Sequence, residues 1–351
     1  MAISGNHTFF SSPSFANSLP SKHDSTFFSQ LQSLEKKKYY KHIQIPARLL
    51  HAHGTLRRWP GVKVFKPVPF RYNKNNLKHG SGRIMNYKMI AIDIDDTLIN
   101  DDKQVTEGTK KALAAAIASG VVVTLATGRM YASARSIAEQ LGLNVPLITY
   151  QGSLVKNAID GNVLYERCVP ASAAQLIFDY CERNGLHLQL YVDDQLYVKE
   201  RNEKAEAYAS LSKVPFIVEP DFRSLAGKPS NKLLVIDEPD KLDSVAAELR
   251  GLLGQQVHIT KSKPHFLEIV HAEGTKGHAL AHLAGHFGFD LEKVIAIGDS
   301  WNDREMLEAA GLGVAMANAV DPLKEIADYV TLSNNEDGVK HVVDKFILQT
   351  V

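Results

Sequence analysis

An apolar run that ends in three acids constrains this chain more than any other feature. Residues 90–92 are apolar without polar alternation, and Asp93, Asp95 and Asp96 follow them. Such a run suits a parallel strand that is buried on both faces. Ligands of open α/β sheets bind beyond the carboxyl ends of the strands, where these acids stand. A solvated turn is the ordinary alternative. Because clustered carboxylates repel one another unless a cation joins them, the pattern predicts a divalent metal site.

The composition excludes several classes of protein. The chain has 351 residues, of which 44% are hydrophobic and 23% charged, as is usual for one or two globular domains. No apolar stretch approaches the ~18 residues that a membrane span requires, so we expect no membrane partner. The two cysteines, Cys168 and Cys181, form no CxxC motif. They do not indicate a fold that depends on disulfides.

The charge is unevenly distributed, which indicates a separate leader. Residues 1–88 hold 15 Lys and Arg against two acids, whereas the rest of the chain has a balance of −12. The first 34 residues are rich in Ser and lack a long apolar core. This composition predicts a transit peptide for the chloroplast (the plastid stroma), with the mitochondrion as the alternative. A basic arm that binds nucleic acid is the other interpretation, but the acidic body is poorly suited to polyanions. We therefore expect no nucleic-acid partner.

The body alternates strands and helices and contains one stretch of different character. Apolar runs at residues 121–126 and 294–297 read as strands, and Thr106 is positioned to cap a helix that continues through Ser119. Such alternation predicts an α/β class with a mostly parallel, doubly wound sheet. Short alternating strands and two helical stretches between residues 170 and 262 predict an inserted α+β module. The expected organisation is a leader (1–84), a first part of the core (85–169), the module (170–262) and a second part of the core (263–351).

Four predicted strand or helix ends carry groups that suit phosphoryl transfer. Asp93 and Asp95 follow the first strand, Thr127 and Gly128 follow the second, and Lys276 opens a helix. The last end has the sequence Gly-Asp-Ser-Trp-Asn-Asp at residues 298–303. Carboxylates suit Mg²⁺, and a hydroxyl with an ammonium suits phosphate oxygens. Each piece alone is ordinary, but their joint occurrence in this order is specific.

These motifs resemble those of the haloacid dehalogenase superfamily, and in particular its Cof-type branch with a type IIB cap. The resemblance runs from about residue 88 to 346. It includes the Asp-x-Asp-x-Thr motif at 93–97 and the Thr-Gly-Arg motif at 127–129. Two stretches typical of the branch stand at residues 313–318 and 335–339. The resemblance implies a Rossmann-like core with the inserted module as its cap.

The resemblance also implies a role for each motif residue. Asp93 would attack phosphorus, and Asp95 would protonate the leaving group and then activate water. Thr127, Gly128 and Lys276 would bind the phosphoryl group. The metal would be Mg²⁺, and its expected ligands and supporting residues are Asp93, Asp95 through its main-chain carbonyl, Asp299, Asn302 and Asp303.

The chain departs from the branch pattern at a few positions. Asp96 stands where Gly is frequent, and Gln151-Gly152 replaces the usual Asn-Gly after the third strand. Trp301 fills a variable place in the last motif, where it would either stack on a planar substrate or pack beneath the cap. The possible substrate contacts are Gln151, Gly152, Trp301 and Asn318.

The function that the sequence predicts is hydrolysis of a small phosphomonoester through an aspartyl phosphate, with the cap choosing the substrate. Sugar phosphates, pyridoxal phosphate, flavin mononucleotide and a riboflavin-pathway intermediate all fit this description. A phosphomutase of the same superfamily and a non-catalytic phosphate-binding regulatory protein are the alternatives. We expect a monomer or a homodimer.

A processed leader gives a first testable prediction. If the basic segment is a transit peptide, the mature protein will begin between about residue 40 and 85. N-terminal sequencing of the protein purified from its native source measures this directly. A mature chain that begins at residue 1 or 2 would contradict the prediction.

Overall fold

The computed structural model of this chain describes residues 86–350. The predicted leader, residues 1–84, lies outside the described residues. Within 86–350, no helix combines the length and the apolar character that crossing a membrane would require. Cys168 and Cys181 are both free thiols, which agrees with the expected absence of a disulfide framework.

Strands and helices alternate through most of the described residues. The strands, in chain order, are β1 (Met89–Ile92), β2 (Val122–Leu125), β3 (Pro146–Thr149), β4 (Leu154–Asn157), β5 (Val163–Glu166), β6 (His187–Val192), β7 (Gln195–Val198), β8 (Phe216–Val218), β9 (Lys232–Ile236), β10 (Val257–Lys263), β11 (Phe266–His271), β12 (Val294–Gly298), β13 (Leu312–Ala315) and β14 (Tyr329–Val330). The α-helices are α1 (Glu107–Ala118), α2 (Tyr131–Gln140), α3 (Ala171–Arg183), α4 (Glu203–Ser212), α5 (Pro239–Leu253), α6 (Lys276–His286), α7 (Arg304–Ala309), α8 (Asp321–Ile326) and α9 (Gly338–Val343).

A parallel sheet of five strands forms the centre of the core, in the order β14-β13-β12-β1-β2. Every residue of β1 and β12 is buried, as their uninterrupted apolar runs predict. The chain leaves β1 toward β2 in one direction and returns through β12, β13 and β14 in the other. Since crossovers between parallel strands are right-handed, helices cover both faces of the sheet. The predicted doubly wound α/β class is confirmed, and β1 and β12 flank its switch point.

Local sequence explains why the first crossover is helical. Thr106 caps α1, because its hydroxyl accepts a hydrogen bond from the main chain of Thr109 at 3.1 Å. The buried residues of α1 recur at helical spacing and form one apolar stripe: Thr109, Ala112, Leu113 and Ala116. The sequence predicts this cap and this helix, and both are confirmed.

The strand after α2 extends the core in a different way. Ile148 in β3 makes a single parallel bridge to Ala126, beyond the end of β2. β3 then pairs antiparallel with β4, and β4 with β5. The turn between β4 and β5 contains Asp160 and Gly161, and Gly161 has a φ of +68°. These residues close a β-hairpin between the two strands.

The inserted module is built on a sheet of six strands in the order β10-β11-β9-β6-β7-β8. All its neighbouring strands pair antiparallel except β7 and β8. The boundary expected between residues 262 and 263 needs correction, because β11 belongs to this sheet and the return to the core follows His271. The apolar run of β11 resembles a core strand in sequence, and only its pairing shows where it belongs.

The two faces of the module's sheet have different surroundings. The outer face packs on α3, α5 and the 3₁₀ turn Phe222–Gly227 in an apolar cluster of its own. The inner face includes Tyr191 and Leu234, which join the large apolar cluster of the core. Because strand residues alternate between faces, residues at two-residue spacing from these also point toward the core.

A glycine beside the start of α6 gives the second prediction. Gly152 has a φ of +108°, and a Cβ there would stand 2.2 Å from the carbonyl oxygen of Thr275. Gly152→Ala should therefore lower the free energy of unfolding by about 3 kcal/mol, through backbone strain and overpacking. Urea denaturation measures this loss.

Gly185→Ala is the matched control. Gly185 also has a positive φ, +59°, but no atom lies within 4 Å of its Cβ position. The control should lose only about 1 kcal/mol, from backbone strain alone. Equal losses in the two variants would show that the contact with Thr275 does not constrain the fold.

Candidate active site

The register of the core sheet brings the acids of two distant sequence segments together. β1 and β12 pair in parallel with Ile92 opposite Ile297. The main-chain N–H of Asp93 donates to the carbonyl of Ile297 at 3.0 Å, so pairing continues one residue beyond β1. Asp93 and Asp299 consequently leave the same edge of the sheet side by side. This adjacency is a consequence of backbone hydrogen bonding and needs no side-chain contact.

A buried lysine lies among these acids. The Lys276 ammonium is 2.5 Å from Asp93 Oδ1 and 2.6 Å from Asp303 Oδ1, and its side chain is inaccessible to solvent. Lys276 is the first residue of α6, whose N-terminus is capped by the Thr275 hydroxyl. Burial by itself would lower the pKa of Lys276, but the charges of Asp303 and Asp93 outweigh it and raise the pKa. The ammonium is therefore positively charged at physiological pH.

Asp303 organises the loop after β12. Its Oδ2 accepts hydrogen bonds from the main-chain N–H groups of Asp299 and Ser300, both at 3.0 Å. Its Oδ1 is bound to Lys276. With both oxygens engaged in this way, Asp303 is better placed to orient the loop and the lysine than to bind a cation directly. The expected supporting role of Asp303 in the metal shell stays a prediction.

Three carboxylates lie close enough to share one cation. Oxygen atoms of Asp93, Asp299 and Asp303 all lie within 4.8 Å of one another. Burial first, and the neighbouring acids after it, raise the pKa of Asp93 well above its usual range. The same causes raise the pKa of Asp299 to about 7. Thr97 donates a hydrogen bond of 2.7 Å to Asp299 Oδ1. The cluster is an all-oxygen site with more negative charge than Lys276 balances, which is the chemistry that hard divalent cations require.

Asp95 is oriented away from this cluster by an arginine. Arg129 binds it in a bidentate arrangement, with Nε 2.8 Å from Oδ2 and Nη2 2.7 Å from Oδ1. Burial would raise the pKa of Asp95, but the hydrogen bonds and charge of Arg129 lower it on balance. The side chain of Asp95 is therefore ionised, and it is not part of the cluster formed by Asp93, Asp299 and Asp303.

Asp96 has a backbone conformation that explains why glycine is frequent at its position. Its φ of +59° lies in the left-handed region, which Asp tolerates better than most residues. Its carboxylate forms ion pairs with Lys263 of β10 at 3.0 Å and with Lys103 at 3.5 Å. Asn318 donates to the main-chain oxygen of Asp96 at 2.8 Å. Asp96 thus contacts the cap, and Asn318 supports its loop.

The predicted phosphate-binding loop follows β2. Thr127 is buried, and its hydroxyl oxygen accepts a hydrogen bond of 3.1 Å from the main-chain N–H of Arg129. The carbonyl of Gly128 accepts one of 2.7 Å from Lys232 of the cap sheet. Thr127 and Gly128 line the same cleft as Asp93.

A cleft between core and module gives access to these groups. Its volume is about 1050 Å³, and its walls include Asp93, Asp95, Thr127, Arg129 and Asp299. From the module, lining residues come from α4, β9, β10 and β11, among them Tyr208, Lys232, Lys263, Phe266 and Glu268. Such a cleft accommodates a small metabolite.

The four residues predicted as substrate contacts do not line this cleft. Gln151 is buried, where it accepts from Asn302 at 2.8 Å and donates to Glu268 at 2.7 Å. Gly152 packs its backbone against Thr275. Among the described residues, neither Trp301 nor Asn318 lines the cleft. Trp301 is 39% exposed and sits in a turn that contacts β10, an arrangement that favours packing beneath the cap over stacking on a substrate.

Three charged side chains of the site were not predicted from the sequence. Arg129 belongs to a predicted motif without a predicted role, and the sequence motifs include neither Lys232 nor Glu268. Both are charged residues of mainly apolar strands: Lys232 begins Lys-Leu-Leu-Val-Ile, and Glu268 lies within Phe-Leu-Glu-Ile-Val. A charge inside such a run must be paired or exposed. That signal was available in the sequence, although the partner of each charge was not.

The fold and the site together define a phosphoryl-transfer enzyme with an α/β core and an inserted cap, and comparisons with known proteins agree. A profile of haloacid dehalogenase-like hydrolases matches residues 90–343. A putative phosphatase of Streptococcus pyogenes is 36% identical over 276 residues, which cover 75% of this chain and 100% of that protein. A Bacillus subtilis 5-amino-6-(5-phospho-D-ribitylamino)uracil phosphatase is 33% identical over 261 residues, or 74% of this chain and 96% of that enzyme. A solved structure of a subclass IIB sugar phosphatase aligns with a TM-score of 0.67 at 26% identity, covering 74% of this chain and 98% of that one.

The chain belongs to the haloacid dehalogenase-like hydrolase family, and it is a phosphatase of that family. The sequence-based expectation of a Cof-type member with a type IIB cap is confirmed at the level of fold and enzyme class.

Removal of the buried ammonium gives the third prediction. Lys276→Met would leave Asp93 and Asp303 without their cation, and losing one partner of a buried ion pair costs about 3–5 kcal/mol. Urea denaturation in the presence of a chelator should show a loss of this size, because a bound metal would otherwise compensate. Lys263→Met is the control, since its ion pair with Asp96 is partly exposed and should contribute less than about 1 kcal/mol. Equal losses would contradict the central role of Lys276.

Proposed function

We propose that this protein hydrolyses a small phosphomonoester with Mg²⁺ as cofactor, through an aspartyl-phosphate intermediate on Asp93. The observation that carries the proposal is the position of Asp93. It lines the cleft, is paired with Lys276 and lies close to two further carboxylates. A carboxylate nucleophile, cationic groups for the phosphate and a second acid for proton transfer meet there.

Each of these residues has its own role in the proposed reaction. An oxygen of Asp93 forms the bond to phosphorus while the ester bond to the leaving oxygen breaks. Lys276 and the hydroxyl of Thr127 bind the phosphoryl oxygens and offset the charge that develops on them. Asp95 gives its proton to the leaving oxygen. In the second step Asp95 takes a proton from water, which attacks phosphorus and releases Asp93 and inorganic phosphate.

The ion pair between Arg129 and Asp95 bears on both steps. It holds Asp95 as a carboxylate, the form that serves as a base for water. The first step requires the protonated form. A phosphate dianion in the cleft would compete for the guanidinium and would also raise the pKa of Asp95 by its charge, so substrate itself favours protonation.

Mg²⁺ fits the donor set of the site. Asp93 and Asp299 would hold the ion, together with the main-chain carbonyl of Asp95, and Asp303 and Asn302 would support that arrangement. When bound, it would supply Lewis acidity toward the phosphoryl oxygens and balance the carboxylate cluster. Burial and the neighbouring acids raise the pKa values of Asp93 and Asp299, and a bound cation would supply charge that offsets both causes.

The proposed substrate is a polyhydroxylated phosphomonoester, such as a sugar phosphate or a ribitylamino-pyrimidine phosphate. The activities named for the Bacillus subtilis and subclass IIB relatives support this class. The cleft supports it too, because Tyr208 and Phe266 give it an aromatic wall with ring centroids 5.4 Å apart. Aromatic side chains stack on planar rings and on the apolar faces of sugars. We also propose that the enzyme acts in the plastid stroma, on the basis of its leader.

The fourth prediction is tested with a panel of phosphate esters. The purified full-length chain with Mg²⁺ should release phosphate from at least one sugar phosphate, pyridoxal phosphate, flavin mononucleotide or 5-amino-6-(5-phospho-D-ribitylamino)uracil. Asp93→Asn should abolish turnover, and a chelator should reduce it until Mg²⁺ is restored. The matched control is Asp328→Asn, which changes an acid next to β14 that does not line the cleft and should therefore retain turnover.

Three outcomes would contradict the proposal. Absence of phosphate release from every ester would remove the phosphatase assignment, and full activity of Asp93→Asn would remove the nucleophile. Isomerisation of a sugar phosphate with activation by a bisphosphate, without net release, would identify a phosphomutase instead.

A further inference from the structure

We propose that Lys232 and Glu268, a buried ion pair on the inner face of the cap sheet, position the loop 127–129 for phosphate binding. This inference rests on the proposed function, because it takes Thr127 as a phosphate ligand. Neither residue belongs to the motifs that carry the family resemblance, and both reach the site from the inserted module. We refer to the two side chains as the cap pair.

Burial of the cap pair is energetically costly, which calls for an explanation. Lys232 Nζ lies 3.0 Å from Glu268 Oε2, and their side chains are only 2% and 4% exposed. Replacing such a pair with apolar residues of similar volume is often neutral or stabilising. The remaining sequence of both strands is mainly apolar, so an apolar pair would suit the sheet. Stability of the cap alone therefore does not account for these charges.

Lys232 contacts the loop at one specific atom. Its ammonium donates a hydrogen bond of 2.7 Å to the carbonyl oxygen of Gly128. That oxygen belongs to the same planar peptide as the N–H of Arg129. A group that holds the oxygen therefore also fixes the direction of the N–H.

The same peptide orients the hydroxyl of Thr127. The Arg129 N–H donates to Thr127 Oγ1 at 3.1 Å, and this bond occupies an acceptor position of the hydroxyl. The hydrogen of that hydroxyl is then available to donate in another direction. Thr127 lines the cleft with Asp93, so a phosphoryl oxygen in the cleft is the acceptor that this geometry suits. Lys232 thus acts on phosphate through Thr127, without touching it.

Glu268 supports the loop from a second side. It accepts a hydrogen bond of 2.7 Å from Gln151 Nε2. The Gln151 amide lies against Gly128, so closely that a Cβ on Gly128 would stand 2.3 Å from Nε2. Gln151 Oε1 in turn accepts from Asn302 at 2.8 Å. The cap pair therefore connects the loops that follow β2, β3 and β12.

The charge state of the cap pair agrees with this role. Burial would lower the pKa of Lys232, but the charge of Glu268 raises it above the usual value. Lys232 is therefore a cationic donor at physiological pH, and hydrogen bonds from charged donors are stronger than those from neutral ones. Because Glu268 balances the charge, the pair orients the loop without adding net charge to the cleft.

The fifth prediction compares Lys232→Met, Glu268→Gln and the double variant by three measurements. The measurements are the urea midpoint, KM and kcat for p-nitrophenyl phosphate, and the inhibition constant of inorganic phosphate. Lys232→Met leaves Glu268 as an unpaired buried charge, so it should be destabilised as well as impaired. The double variant has no unpaired charge, and the amide oxygen of the introduced glutamine can still accept from Gln151.

The double variant separates positioning from stability. Its urea midpoint should return close to that of the wild type. Its KM and its inhibition constant for phosphate should still be raised about tenfold, because the carbonyl of Gly128 lacks its donor. Glu268→Gln alone retains Lys232 and should raise the inhibition constant by less than about threefold. Lys199→Met is the matched control, since Lys199 is also a lysine of the cap but pairs with Glu182 on the surface at 60% exposure.

The outcomes distinguish this inference from the proposed function. A double variant with the wild-type inhibition constant and KM would overturn the inference and leave the pair a purely structural contact. Equal effects in Glu268→Gln and the double variant would also overturn it, because charge and not the bond to Gly128 would then be responsible. A wild-type protein that hydrolyses no phosphate ester would instead overturn the proposed function.

Discussion

The buried ammonium of Lys276 is the interaction on which the rest of the site depends. It lies between Asp93 and Asp303, which come from opposite ends of the core sequence and meet only in the folded sheet. Burying either acid alone would be costly, and together they would repel each other. A single cation from the N-terminus of α6 makes it possible for Asp93 and the loop after β12 to share one buried space.

That arrangement leaves an imbalance of charge. Lys276 offsets only part of the negative charge of the cluster, and burial first, with the neighbouring acids after it, raises the pKa values of Asp93 and Asp299. Such an excess of negative charge would suit a bound cation, because a site already neutral would have little affinity for one. Arg129 keeps Asp95 outside this balance by pairing with it separately. Asp93 and Asp95, two residues apart, thereby have different partners and pKa values that shift in opposite directions.

The cap participates in this organisation through charges as well as shape. Lys263 binds Asp96, and the cap pair contacts the loops after β2 and β3. All of these contacts lie between an inserted module and the carboxyl end of the core sheet. Because a hydrogen bond weakens when its length changes by a few tenths of an ångström, small displacements of the cap would change the geometry of the loop 127–129.

Apolar periodicity and capping are local properties, so the core strands, the Thr106 helix cap and the order of the chemical groups could be predicted from the sequence. Asp93, Lys276 and Asp299 could be named from the sequence, since they follow strand ends or open a helix in a recognisable order. The tertiary structure alone decided which side chains pair with which. Asp95 pairs with Arg129, 34 positions away, and Lys232 contacts Gly128, 104 positions away. The membership of β11 in the cap sheet likewise depends on its pairing with β9. Such contacts depend on sheet register and on how the cap meets the core, and neither is encoded in the spacing of residues along the chain.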